Sequence, residues 1–314
     1  MIMNTTLRAS FPAIFVLIWS TGFIVARYGM PYAEPMTFLT LRYLGVIALM
    51  LPLVWLMKAP WPHRALAWRI ALAGVLMQAG YLGGVWAAVK DGMTAGLAAL
   101  IVGLQPIMTA CLAGLVQERL DARQWLGLAL GLLGVALVVW AKIDLIGLTA
   151  VSLGFAILAL VSITAGTLYQ KRACPHFDLR TGSIIQFAAS AAVSLPFVFL
   201  FETREIIWHP HMIGALLWSI FAISLGAISL LFVLIREGAA TQVTGLLYLT
   251  PPTTAVMAWL LFDEPITALT VLGMGAAAVG VWLVMRSPVA GASGAPEGSA
   301  ASDPSSTKPA SPGS

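Results

Sequence analysis

Charge is what this sequence has least of. Asp, Glu, Lys and Arg make up 10% of its 314 residues and hydrophobic residues 60%, where a soluble domain carries about 25% charged residues. A surface facing mainly water is excluded. With 17 Lys+Arg against 13 Asp+Glu the net charge is only +4. No run of like charges and no basic stretch interleaved with aromatics is present, so no nucleic-acid partner is expected. Cysteine is equally scarce: Cys111 and Cys174 lack the C-x-x-C spacing of a metal or redox pair. His63, His176, His209 and His211 all fall in expected loops, and His209-Pro210-His211 lacks the helical spacing that puts two ligands on one face. No Ser sits in a nucleophile elbow, and no Gly-rich turn follows a strand to cradle phosphate. No catalytic residue, metal or cofactor is therefore expected.

What the sequence has in abundance is long apolar runs. A bilayer core needs about 20 apolar residues in helix, and stretches of that length recur near residues 11–28, 35–57, 65–89, 94–117, 122–140, 147–170, 180–201, 211–235, 240–262 and 266–285. A membrane β-barrel would show short alternating segments, whereas windows such as Leu126 to Val139 are apolar on every side. The fold class is an all-α membrane protein with ten transmembrane helices. The apolar stretch after Arg8 reads as the first of these spans rather than a secretory signal. Residues 1–10 form a short N-terminus, and 287–314, almost entirely Ala, Gly, Ser and Pro, a disordered tail. With the N-terminus in the cytoplasm, twelve Lys and Arg lie inside and four outside, with Arg42 within a span. That bias puts both termini of an inner-membrane protein in the cytoplasm.

The chain also repeats itself. A shift of 146 residues aligns Lys90-Asp91-Gly92 with Arg236-Glu237-Gly238, Pro106 with Pro252, Glu118 with Glu264, Gly127 with Gly273 and Gly134 with Gly280. Apolar segments match one another easily, but a basic-acidic-Gly triplet with a Pro and a Glu at one offset points to duplication. The halves are 11–140 and 147–286. Each holds five helices, an odd number, so the second enters the membrane from the opposite side. Inverted repeats enclose a site that rocking exposes to either face.

These residues resemble a family. Trp19-Ser20-Thr21-Gly22-Phe23, Pro35 followed by Leu41-Arg42-Tyr43, and the stretches LQPIMTACLAGLVQERL and LTPPTTAVMAWLLFDEPI are similar to the EamA-type branch of the drug/metabolite transporter superfamily. The resemblance spans residues 10 to 286. It implies ten helices from two five-helix repeats and the export or exchange of amino acids, related metabolites or drugs. A non-transporting receptor or scaffold, and a sugar-phosphate or nucleotide-sugar exchanger, are the alternatives. The expected partners are a small-molecule solute and membrane lipid, and the glycines 127, 131 and 134 serve either bundle packing or a homodimer seam.

Candidate solute-binding residues follow from depth and polarity. Pro106 in one half and Pro251 with Pro252 in the other interrupt corresponding helices near mid-membrane, either as packing kinks or as the broken helices of a binding site. Gln105, Tyr248 and Thr250 are the polar groups beside these breaks. Ser20, Thr21, Gln78, Tyr81 and Thr164 are further polar residues within spans, whose alternative role is hydrogen bonding within or between helices. Trp19 stacks on a solute or anchors at an interface. Arg42, about 10 Å along its helix from Pro35, either snorkels outward or attracts a carboxylate. Glu118 and Glu264 stand at helix junctions and suit the start of the following helix. No Asp or Glu falls mid-span, which favours facilitated transport or exchange of a zwitterionic or neutral metabolite over ion coupling.

Overall fold

A computed structural model describes residues 5–114, 122–146, 148–174, 176–227, 230 and 249–286. The described residues are helical apart from short connections and one isolated antiparallel bridge, Ala33 to Ile206. In chain order the helices are α1 Thr5–Gly29, α2 Pro35–Leu56, α3 Arg64–Lys90, α4 Ala95–Val102, α5 Gln105–Gly114, α6 Ala122–Ile146, α7 Ala150–Ala173, α8 Leu179–Phe201, α9 Pro210–Ala227, α10 Thr250–Phe262 and α11 Ala268–Arg286. Six of them, α1, α2, α3, α7, α8 and α9, are long and apolar enough to cross a membrane. The fourth expected span is divided into α4 and α5 at Gly103 and Leu104. Residues 228–229 and 231–248, at the end of the expected eighth span and the start of the ninth and including Tyr248, lie outside the described residues, as do Glu118 and the tail.

Local chemistry sets the helix ends. Pro35 occupies the first turn of α2, where a missing N–H is no loss. Thr94 caps α4 by accepting from Leu97 N at 3.3 Å. Thr149 and Ser152 exchange bonds in a capping box at α7, and the Thr149 hydroxyl also donates to Asp91. His209 caps α9, its ring nitrogen Nδ1 accepting from His211 N at 3.2 Å. Asp263 ends α10 in the left-handed conformation at φ 54°, a role Asp fills more readily than most residues. The α6 helix continues past the expected residue 140 to Ile146, because no Gly or Pro interrupts it before Gly147.

The shift of 146 residues takes α1 onto α7, α2 onto α8, α3 onto α9 and α6 onto α11. Packing follows the same exchange: α1 lies on α9 and α7 on α3, α2 lies on α9 and α8 on α3, while α2 meets α8 and α6 meets α11 directly. The α6–α11 seam is backbone against backbone. A Cβ on Gly134 would lie 2.6 Å from Ala277 N, and one on Gly280 2.6 Å from Gly131 N.

Asp178, which caps α8, accepts from Arg180 Nη2 at 2.6 Å and Nε at 3.1 Å. The Arg180 side chain holds its carboxyl below the ordinary value. A depressed carboxyl contributes stability above the unfolded pKa of about 3.9 and loses it as the pH falls through the folded value. Asp178→Asn keeps the cap and removes the charge. At neutral pH it should cost about 0.2–1 kcal/mol, as exposed pairs do. Melting curves in detergent check this, with the gap to wild type closing as the pH falls from the unfolded value of about 3.9 through the lower folded one.

Candidate functional site

The helices equivalent by the 146 shift, α3 and α9, both widen into π-helical turns, at Val75–Gly80 and Ser219–Ala227. A π turn shifts the hydrogen-bond register and leaves a carbonyl to be satisfied from outside, and such turns concentrate at functional sites. Ser190 of α8 donates to Gly74 O at 3.0 Å. In the other half Ser224 donates to Ser219 O at 2.9 Å, inside the turn. Gln78 and Ser224 occupy equivalent positions in the two turns, and both face the centre of the bundle.

Two adjoining cavities lie there. One, of about 110 Å³, is lined by Trp19, Phe23, Arg42, Gln78, Tyr81 and Phe187 among others. The second, of about 70 Å³, shares Trp19, Phe23 and Tyr81 and adds Gln105, Thr250 and Pro251. Ligand sites usually measure about 300–1,000 Å³, so a metabolite of ordinary size is admitted only when the surrounding helices part.

Arg42 does not snorkel toward the end of the bundle. It is 5% exposed, and its Nε and Nη2 donate to Ser224 Oγ at 3.3 and 3.1 Å. Gln105 Nε2 donates to Thr167 Oγ1 at 3.1 Å, bridging α5 to α7, and Thr167 in turn donates to Ile163 O. The Thr250 hydroxyl is buried without a hydrogen-bond partner among the described residues. Gln105 opens α5, so Pro106 falls in the first turn of a new segment rather than kinking a continuous one. Pro251 and Pro252 stand likewise in the first turn of α10, and Pro252 borders a small crevice beside α11.

Three candidates point elsewhere. Thr164 is fully buried and donates to Leu160 O at 2.6 Å, so its hydroxyl is engaged by its own helix. Thr21 donates to Ile18 O at 2.5 Å and accepts from Trp218 Nε1 at 2.8 Å. Ser20 is buried where α1 meets α10, its carbonyl accepting from Thr254. Tyr248 lies outside the described residues. Glu264, expected to serve the helix after it, crosses instead to α4, where Oε1 accepts from Ala95 N at 3.1 Å. The junction signal was correct and the partner was not readable. Glu202 was not singled out, yet it accepts from Met36 N, Thr37 N and Thr37 Oγ1, all at 2.7 Å, and so caps α2.

A larger groove of about 700 Å³ lies between α2, α3, α7 and α8. Its walls include Phe155, Phe197 and Phe201, which are exposed on the flank of the bundle. It opens on the exposed apolar flank of the bundle, and its polar rim is engaged: Lys90 donates to Met30 O at 3.0 Å and stands 3.7 Å from Glu34.

Apolar helices of membrane-crossing length, packed around an internal cavity, define a multi-pass membrane protein. The EamA-like transporter family matches residues 9–140 and again 150–286, and the chain belongs to that family. Relatives include the uncharacterized transporter YvbV of Bacillus subtilis, 27% identical over 83% of this chain and 86% of its own length. The uncharacterized inner membrane transporter YedA of Escherichia coli is 26% identical over 87% and 90%. A probable amino-acid metabolite efflux pump of Salmonella typhimurium is 26% identical over 52% and 53%. A solved crystal structure shares the fold at a TM-score of 0.60 and 15% identity, over 87% of this chain and 95% of that one.

Proposed function

We propose that the protein is a secondary transporter of the inner membrane that moves a small metabolite by alternating access between two inverted five-helix repeats. The observation that carries this reading is the composition of the central cavity: Trp19, Arg42, Gln78 and Tyr81 come from one half, and Ile163, Phe187 and Ile223 from the other. A site at the junction of two bodies opens to one face or the other as those bodies rock. The doubled family match, the paired π turns and the reciprocal helix contacts support the repeat. The Salmonella relative's name, a probable amino-acid metabolite efflux pump, supports a metabolite as cargo. The positive-inside bias supports cytoplasmic termini.

Single cysteines at Gln78 and Gln105, probed with membrane-impermeant thiol reagents from each face, test this reading. Each position should react from both sides, in proportions that change with solute. Labelling from one face alone under every condition would exclude alternating access. Gln105→Ala removes the link to Thr167 and a polar group of the wall. It should lower flux in proteoliposomes by about tenfold, the worth of one net hydrogen bond, while detergent-extracted protein remains monodisperse.

A further inference from the structure

The Arg42 guanidinium carries five N–H donors and a permanent charge. Two of those donors reach one neutral acceptor, Ser224 Oγ. Among the described residues no carboxylate lies within ion-pairing distance of Arg42, and neither cavity lining contains Asp or Glu. A buried cation without a counter-ion is strongly unfavourable unless something supplies the opposite charge. A carboxylate answers the planar fork best, through two parallel bonds.

The remaining wall describes the rest of the ligand. Trp19, Phe23, Tyr81, Trp86 and Phe187 offer apolar and aromatic surface. Gln78, Gln105 and Thr250 offer neutral polar groups. Neither lining holds a carboxylate to pair with an ammonium. The α-amino group of an amino acid would be stripped of water there with neutral amide and hydroxyl oxygens and aromatic faces to receive it, weaker partners than an ion pair at this depth. A phosphate would need more than one cation.

We infer that the central cavity binds an apolar organic monocarboxylate through Arg42, in preference to the amino acid of the same skeleton, and that it is carried as the bare anion with one negative charge moved per turnover. This rests on the transporter reading above and replaces the zwitterionic or neutral cargo expected from the sequence. The absence of mid-span Asp or Glu in the sequence leaves no carboxylate to couple a proton or sodium ion. The membrane potential is then the driving force. Because one charge across 100 mV is equivalent to about a fifty-fold gradient, an inside-negative cell expels the anion whichever way the protein is inserted.

The test uses the full chain in phosphatidylethanolamine–phosphatidylglycerol liposomes at pH 8, with protein-free liposomes subtracted. The probes are radiolabelled 3-phenylpropanoate and phenylalanine, which differ by the ammonium alone, and valinomycin with a potassium gradient sets the potential. Uptake of 3-phenylpropanoate should exceed that of phenylalanine at least tenfold and rise as the lumen is made positive. Arg42→Gln should lower it at least tenfold, with Arg42→Lys partly active. Gln78→Glu, which places a carboxylate in the same cavity, should lower it at least tenfold and narrow the preference over phenylalanine, so the idea stays testable even if Arg42→Gln fails to fold. Equal uptake of the two probes, indifference to potential, or full activity in folded Arg42→Gln would overturn the inference and leave the transporter standing. Arg42-dependent quenching of tryptophan fluorescence by 3-phenylpropanoate without flux of either probe would uphold the anion site and sink the transporter reading.

Discussion

Gly280→Leu is expected to yield no monodisperse protein from detergent-solubilised membranes, while Gly275→Leu on the same helix behaves as wild type. A Cβ on Gly280 would stand 2.5 Å from Gly127 O and 2.6 Å from Gly131 N, whereas one on Gly275 would meet nothing within 4 Å. The obstructing atoms are backbone, so no rotamer change relieves them and the two helices must separate. Overpacking a soluble core costs about 1–3 kcal/mol. Helix association in lipid depends on close approach rather than on hydrophobic transfer, so a parted seam loses its main attraction as well. Gly134→Leu should fail in the same way, since its Cβ would meet Ala277 N. Size-exclusion profiles and melting curves decide the matter, and a Gly280→Leu protein melting with the wild type would show that the seam is not a close contact.

The two seam contacts are reciprocal in a way that bears on mechanism. Gly134 is to Gly280 as Gly127 is to Gly273, and Gly134 approaches Gly273 while Gly280 approaches Gly127. That is the pattern of a two-fold contact, in which residue i meets j and j meets i. The glycines are thereby accounted for within one chain, as bundle packing. In the alternating access proposed above, this seam would hold α6 and α11 together while the cavity-lining helices move around it. The π turns of α3 and α9, with their altered register, are the segments of those helices where bending requires the least rearrangement.

Length and polarity made the spans legible: α2, α3 and α8 begin and end within a residue or two of the positions read from the sequence. Depth and residue type also brought out Trp19, Arg42, Gln78, Tyr81, Gln105, Thr250 and Pro251, all of which line the paired cavities. Helix rotation was not legible. A span that is apolar on every side has no polar face to fix its orientation, so the inward Gln78 could not be told from Thr164, whose hydroxyl turns back on Leu160. The π turns carry no residue signature. The 146 shift does pair Gln78 with Ser224, and that was the available clue to the partner of Arg42. Capping by Glu202 and Glu264 joins helices about 165 residues apart in sequence, and no local pattern announces it.

Glu264→Ala is expected to lower the melting temperature in detergent by several degrees and to reduce flux along with it. All eight residues of α4 are buried, so the free N–H groups that begin any helix cannot turn to water at this one. Thr94 satisfies Leu97 N and Glu264 satisfies Ala95 N. Removing the carboxylate leaves a buried donor without that acceptor, a loss of about 1–3 kcal/mol, and withdraws a negative charge from the positive end of the helix, about 0.3–1 kcal/mol more. Glu264→Gln keeps an oxygen at the same reach and gives up only the charge, so it should fall between alanine and wild type. The flux effect follows from position, since α4 supplies Ala99 and Val102 to the cavity wall and Gly103 just after it adds a third contact. If alanine and glutamine both melted with the wild type, α4 would be held by its apolar packing alone, and Glu264 would be a surface turn residue after all.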